Sequence, residues 1–196
     1  TQNQSSAASD VYKRQLLIFD EVQCGMGRSG KLFAYEIANV APDIMGLAKG
    51  IGGGFPVGAV LATEKAASGM VPGTHGSTYG GNPLAMAAAN AVLDVMLEKD
   101  FLASVLKKGT KLKNDLVSLV EKHSTVLESV RGVGLMLGVK SVGPNLELMA
   151  AFRENKLLTV VAGENVVRVL PPLNVSEEEI SEAVQKIDQT CSQVSS

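Results

Sequence analysis

Two short apolar runs, each ending in a residue able to do chemistry, constrain this chain more than anything else in it. Residues 16–19 (LLIF) stop at Asp20-Glu21, and residues 44–48 (IMGLA) stop at Lys49 and the glycines Gly50, Gly52, Gly53 and Gly54. Runs this short and this apolar read as strands covered on both faces, the habit of parallel sheets. Open α/β sheets bind their ligands at the carboxyl ends of such strands. The pattern predicts an α/β fold with an acid and a lysine at one rim of the sheet.

The rest of the chain falls into elements around that pair. Residues 31–39 read as a short helix closed by Pro42-Asp43, and residues 56–62 as a third strand. Asn82 is a good N-cap and Pro83 suits a first helical position, so a helix is expected to about Glu98. Asp100 is expected to cap another, with an amphipathic stripe of Leu102, Leu106, Leu112, Leu116, Leu119 and Val120 running to about His123. Residues 133–139 then read as a strand, 146–155 as a helix, and 157–162 with 166–170 as a strand pair. Ser176 with Glu179 forms a capping box that opens a last helix to about Cys191. This second series has the shape of a small α+β domain. The expected division is a leader at 1–15, a larger α/β domain at 16–98 and a small domain at 99–196. The leader is polar, rich in Ser and Ala, and without apolar periodicity. Leu16 then begins in mid-strand with no turn before it.

Composition excludes several classes. The 196 residues carry a formal net charge of −2 with no basic block, which argues against nucleic acid as a partner. No apolar run reaches the length of a membrane span, so no membrane is expected. The only cysteines, Cys24 and Cys191, lie far apart and give neither a disulfide framework nor a ligand pair. No metal site is expected, and a reducing cytoplasm is the simplest location.

Each candidate for chemistry has an alternative. Lys49, between apolar residues and glycines, is expected to be partly desolvated and so available for Schiff-base chemistry; taken alone, a lysine snorkelling off a strand end is the favoured reading. Asp20 is placed to hold a protonated pyridine nitrogen, or else to serve as a cap or structural ion-pair partner. Gln23 could bond a phenolic oxygen on the same ring. His75 through Pro83 (HGSTYGGNP) offers hydroxyls and amides before a helix, suited to a phosphate or to a capping turn. Arg168 lies mid-strand, either solvated at a sheet edge or turned to clamp a carboxylate. His75 reads as structural and His123 as a solvated helix cap. Gly25 through Gly30 (GMGRSG) matches G-x-G-x-x-G, but five residues separate it from the strand and no long helix follows, which weakens a dinucleotide reading.

Taken in order, these motifs resemble the class III (ornithine-type) aminotransferases, pyridoxal-phosphate enzymes of fold type I. The resemblance rests on Phe19-Asp20-Glu21-Val22-Gln23, Gly27-Arg28-Ser29-Gly30, Ala48-Lys49-Gly50, the stretch from His75 to Pro83, Arg131-Gly132-Val133-Gly134-Leu135-Met136 and Val167-Arg168-Val169-Leu170-Pro171-Pro172-Leu173. It runs from about Leu16 to Val194 and is strongest toward members that take N-acetylornithine in arginine biosynthesis. It implies a mostly parallel large-domain sheet and a small α+β C-terminal domain. Lys49 would bond the cofactor and shuttle the substrate proton, and Asp20 would hold the ring nitrogen. The implied cofactor-binding set is Asp20, Glu21, Val22, Gln23, Lys49 and Thr78, with Thr78 reaching the cofactor phosphate of a neighbouring subunit. Ser77 and Arg168 would bind substrate, Arg168 taking its α-carboxylate. The amino group would pass to 2-oxoglutarate, giving glutamate, in a homodimer.

The same motifs serve enzymes for ornithine, 4-aminobutyrate and succinyl-diaminopimelate. In the family, roughly as much sequence again precedes the Asp20 strand, carrying a phosphate-binding glycine loop and a ring-stacking aromatic. This chain therefore reads as a C-terminal half, expected to be poorly soluble and inactive alone. A non-catalytic chain of the same fold is the competing reading.

Overall fold

A computed structural model describes residues 15–194. The expected leader therefore lies outside the described residues, apart from Gln15. The chain divides into two compact units, one holding the residues up to Met26 together with Ala34–Val95, the other Gly27–Phe33 and the chain from Met96 onward.

The first unit is built on a three-stranded sheet, β1 (Ile18–Asp20), β2 (Ile44–Leu47) and β3 (Ala59–Ala62), in that spatial order. β1 and β2 are parallel, with Ile18 opposite Ile44 and Asp20 opposite Gly46. β3 runs antiparallel to β2, so the described sheet has one pair of each kind, where a mostly parallel sheet was expected. Only the central strand is well covered, burying Met45 and Leu47. β1 departs from the expected double burial: Ile18 is 64% exposed, and Leu16 and Leu17 are exposed too. The reason is position, since among the described residues β1 has β2 as its only strand neighbour. The short helix α1 (Tyr35–Ala38) is half the expected length, and α2 (Glu64–Ala67) is capped by Thr63, whose Oγ1 accepts from the Ala66 N–H. α3 (Pro83–Met96) begins where the sequence places it, with Asn82 Oδ1 accepting the Ala85 N–H at 2.9 Å.

The second unit packs helices on one face of an antiparallel sheet. α4 (Phe101–Lys122) is followed by β4 (Leu127–Val133), β5 (Met136–Ser141), α5 (Asn145–Glu154), β6 (Val160–Ala162), β7 (Val166–Val169) and α6 (Glu177–Val194). The strand order is β4-β5-β7-β6, every neighbouring pair antiparallel. A single core joins Val105, Leu112, Leu116 and Leu119 of α4 to Leu137 and Val139 of β5, Val167 and Val169 of β7, Phe152 of α5, and Ile180 and Ile187 of α6. Full burial of one such side chain is worth roughly 1.5–3 kcal/mol. The expected stripe needs one correction: Val105 takes the core position, and Leu106 is 43% exposed. Asp100 stands before α4 with a φ of +66° and makes no side-chain cap. Ser176 and Glu179 do form the expected reciprocal cap, at 2.7 and 3.1 Å.

The expected single strand at 133–139 is broken by the turn of a hairpin, with Val133 ending β4 and residues 136–139 lying in β5. Val133 pairs with Met136, and Gly134 turns the chain at φ +58°. Gly134 also lies against α4 so closely that a Cβ on Gly109 would come within 2.3 Å of its backbone. The residues of loop 27–33 pack here as well. Leu135 donates its N–H to the Arg28 carbonyl at 3.0 Å, and Arg28 Nη1 donates to the carbonyls of Leu135 and Pro171. Burial lowers the Arg28 guanidinium from its usual range.

Candidate active site

The parallel pairing of β1 with β2 decides where the chemistry lies. Asp20 ends β1, and Lys49 follows β2 by two residues, so both stand at the carboxyl ends of adjacent strands. Such strands lie roughly 4.8 Å apart. The two following loops are tied by one hydrogen bond, from Lys49 Nζ to Gln23 Oε1 at 3.1 Å. Asp20 accepts the Val22 N–H on Oδ1 at 3.0 Å, which fixes the carboxylate in a tight turn. Its second oxygen has no partner among the described residues.

Lys49 differs from expectation in environment. The side chain is exposed, not partly desolvated, because its strand ends at the rim with a glycine turn beyond. Its backbone is strained, with φ at +47° for a residue that has a Cβ. A non-glycine residue held in this region marks a position the surroundings over-determine, and such positions gather at functional sites. Nothing in the sequence announced that conformation.

Glu21 needs a correction at the level of its side chain. It is 2% exposed, and its two oxygens accept the N–H groups of Ala34 and Tyr35 at 2.6 and 2.7 Å. The carboxylate is therefore buried and holds the start of α1. Val22 contributes the N–H that orients Asp20. Cys24 lies beside them, its thiol donating weakly to the Asp20 carbonyl at 3.7 Å. Burial, then the charge of Glu21, raises its pKa and keeps it a thiol.

Ser77 and Thr78 sit in an exposed loop of the same unit. Ser77 Oγ accepts the Gly80 N–H at 3.0 Å, so the hydroxyl shapes its own turn. His75 is exposed in that loop. Arg168 belongs to the second unit. It lies on β7, an interior strand, and not at the solvated edge usual for mid-strand arginines. It is half-buried on the face opposite the helices, and Nη2 donates to the Val161 carbonyl at 3.5 Å. The structure thus pairs Val22 with Asp20 and Gln23 with Lys49 at the ends of adjacent strands, while Arg168 belongs to the other unit.

His123 is not the solvated cap expected. It is buried, and Nε2 meets Asp188 Oδ1 at 2.5 Å, while Lys122 takes the other oxygen at 2.8 Å. These partners, His123 first, lower the Asp188 carboxyl below its usual range. Cys191 is buried too, and desolvation pushes its thiol up to about 11. Neither Cys24 nor Cys191 forms a disulfide. Among the described residues no helix is long and apolar enough to cross a membrane, and no cluster of three potential metal ligands forms.

The glycine motif at 25–30 is no dinucleotide loop. Gly27 and Gly30 have φ values of +82° and +85°, and four side chains of the second unit fill the space a ligand would need. Met96, Leu102 and Leu173 close on Gly27, and Leu106 closes on Gly30.

Comparison with known proteins decides the family, since the profile described as aminotransferase class-III matches residues 10–191. The chain belongs to the class-III aminotransferase family. That match begins inside the stretch read as a non-matching or disordered leader at 1–15. An acetylornithine aminotransferase of Bradyrhizobium diazoefficiens is 57% identical over 94% of this chain and 45% of its own length. That of Bacillus subtilis is 48% identical over 90% and 46%. The crystal structure of acetylornithine aminotransferase from Elizabethkingia anophelis superposes with a TM-score of 0.86 at 37% identity, covering 97% of this chain and 49% of the other. The chain spans about half the length of the relatives it matches. Asp20 presents a free carboxylate oxygen, Gln23 an amide and Lys49 an accessible amine. That donor set fits pyridoxal phosphate, which offers a basic ring nitrogen, a phenolic oxygen and a carbonyl.

Proposed function

We propose that this class-III chain carries the catalytic lysine and the ring-binding acid of a pyridoxal-phosphate transaminase. The single observation behind this is the 3.1 Å bond from Lys49 to Gln23 beside Asp20, at the carboxyl ends of two parallel strands. When bound, pyridoxal phosphate supplies a carbonyl that carries the amino group and a ring that accepts electrons from the carbon being deprotonated. Asp20 holds the proton on the ring nitrogen, which is what makes the ring electron-withdrawing. Its own position is set by the Val22 N–H. Gln23 turns its amide toward the phenolic side. Lys49 Nζ takes the proton from the carbon bearing the substrate's amino group and returns it later. Its exposed, glycine-flanked site leaves the amine free to move.

The proposed donor is N-acetylornithine or a related ω-amino compound, released as its aldehyde. The proposed acceptor is 2-oxoglutarate, which becomes glutamate, and the reaction would serve arginine biosynthesis. Relatives named for acetylornithine support this choice. Arg168 would take the substrate α-carboxylate and Ser77 would lie beside the substrate. Thr78 would reach the phosphate across a homodimer. A cytoplasmic location goes with two cysteines outside any disulfide.

The test is chemical labelling. Pyridoxal phosphate is added to the full chain, the imine is reduced with borohydride, and the modified peptide is mapped by mass spectrometry. Modification at Lys49, abolished in Lys49→Ala, is the expected result. Modification spread over surface lysines, with Lys49 no more reactive than Lys65, would refute the assignment.

A further inference from the structure

Glu21 lies in sequence between Asp20 and Gln23, and each of its polar groups is engaged. Its N–H donates to the Gly46 carbonyl of β2 at 3.0 Å, and its carbonyl accepts the Gly25 N–H at 3.0 Å. Its carboxylate oxygens accept the N–H groups of Ala34 and Tyr35 at 2.6 and 2.7 Å. A carboxylate leaves water at this depth only when hydrogen-bond donors replace its hydration. One residue thus joins β2, the turn after β1 and the start of α1, all within the first unit.

The turn that Glu21 closes carries the chemistry. Val22, Gln23 and Cys24 lie between Glu21 and Gly25. Val22 donates its N–H to Asp20 Oδ1, and Gln23 Oε1 accepts Lys49 Nζ. Gly25 shows how closely the turn rests on the buried residue. A Cβ there would stand 2.7 Å from the Glu21 carbonyl oxygen, 3.1 Å from Glu21 Oε2 and 3.1 Å from Leu47 Cδ2. The φ of Gly25 is not in the left-handed region, so the demand for glycine is one of space.

We propose that Glu21 is a positioning residue of the transaminase site. It anchors the turn at 21–25 to β2 and to α1, and so sets Gln23 and, through Gln23, the Lys49 amine. This role rests on the pyridoxal-phosphate reading above and adds to it a residue that acts through another. The turn aims two groups, Asp20 and Gln23, at one ring. Loosening it misplaces both, which weakens capture of the cofactor while the lysine keeps its own reactivity.

Glu21→Gln tests this. It keeps the size of the side chain but offers one accepting oxygen, and it turns an NH2 donor toward the other amide. On the full chain, borohydride-trapped labelling of Lys49 is followed against pyridoxal phosphate concentration. The half-saturating concentration should rise about tenfold, with labelling at saturation equal to the parent's. A chain that had merely lost folded molecules would show the reverse, an unchanged half-saturation and a lower plateau. Gly25→Ala, which crowds Glu21 from the turn, should raise the half-saturating concentration as well. Thr63→Ala removes the cap of α2 elsewhere in the same unit and should leave it unchanged. Without cofactor, the Gly25 amide should exchange about tenfold faster in Glu21→Gln than in the parent. Parent-like half-saturation in Glu21→Gln, or an equal rise in Thr63→Ala, would overturn the positioning role while parental labelling at Lys49 stood. Parental labelling no greater at Lys49 than at Lys65 would instead sink the catalytic reading, and this role with it.

Discussion

The two units use similar residues to opposite ends. In the second, Leu112, Leu116, Val167 and Ile187 are fully enclosed between three helices and four strands. In the first, Ile18 and Val60 lie on edge strands with 64% and 71% of their surface open. The closed unit has spent its apolar residues on a core of its own. The open unit holds Asp20, Gln23 and Lys49 at the rim of its three-stranded sheet. The lesson is that chemistry and self-sufficient stability are divided between different parts of this chain.

That contrast can be broken most forcefully in the closed core. Leu116→Ala removes a side chain with no exposed surface and should cost about 2–5 kcal/mol, read by denaturant unfolding with hydrogen exchange on α4 and β5. A loss below about 1 kcal/mol would show that the second unit is looser than its burial implies. In the open unit the strongest internal anchor is polar. Glu21→Ala orphans two half-buried N–H groups and should cost about 1–3 kcal/mol, seen as faster exchange at Ala34 and Tyr35.

A smaller effect sharpens the electrostatic side of the comparison. Asp188 has its folded pKa lowered by His123 and Lys122, so its carboxylate binds protons less readily folded than unfolded. The stability it contributes is present above the unfolded value and is lost as pH falls through the lower, folded one. Asp188→Asn should therefore flatten the acid limb of the stability–pH curve below about pH 4. Because Asp188 keeps 34% of its side chain exposed, the difference should stay under about 1 kcal/mol. The smallest change is expected at Val60. Val60→Ala should alter stability by no more than about 0.5 kcal/mol, since little of the side chain is buried to begin with.

What the sequence revealed was local. Asn82 with Pro83, and Ser176 with Glu179, mark helix starts through contacts within three residues, and both starts are where the motifs place them. Asp20 and Lys49 could be placed at strand ends because short apolar runs bound them. The pairing of those runs as parallel neighbours follows from the same pattern. What stayed hidden depends on distance along the chain. His123 finds Asp188 65 residues later, and Glu21 finds Ala34 and Tyr35 across a loop, so neither partner shows in a local window. The hairpin at Val133 and Met136 was masked because its turn is as apolar as its strands. The exposure of β1 was hidden for another reason. An apolar run reports what a strand is made for, not what currently lies against it.

The placement of residues 27–33 in the second unit, between two stretches of the first, has a practical consequence. Two peptide crossings, one on each side of a heptapeptide, join the halves in addition to the one at Val95 and Met96. A single cut between Val95 and Met96 would not yield two clean domains. The released C-terminal piece would lack the peptide that carries Arg28, along with its bonds to the Leu135 and Pro171 carbonyls. Anyone dissecting this chain must treat it as threaded.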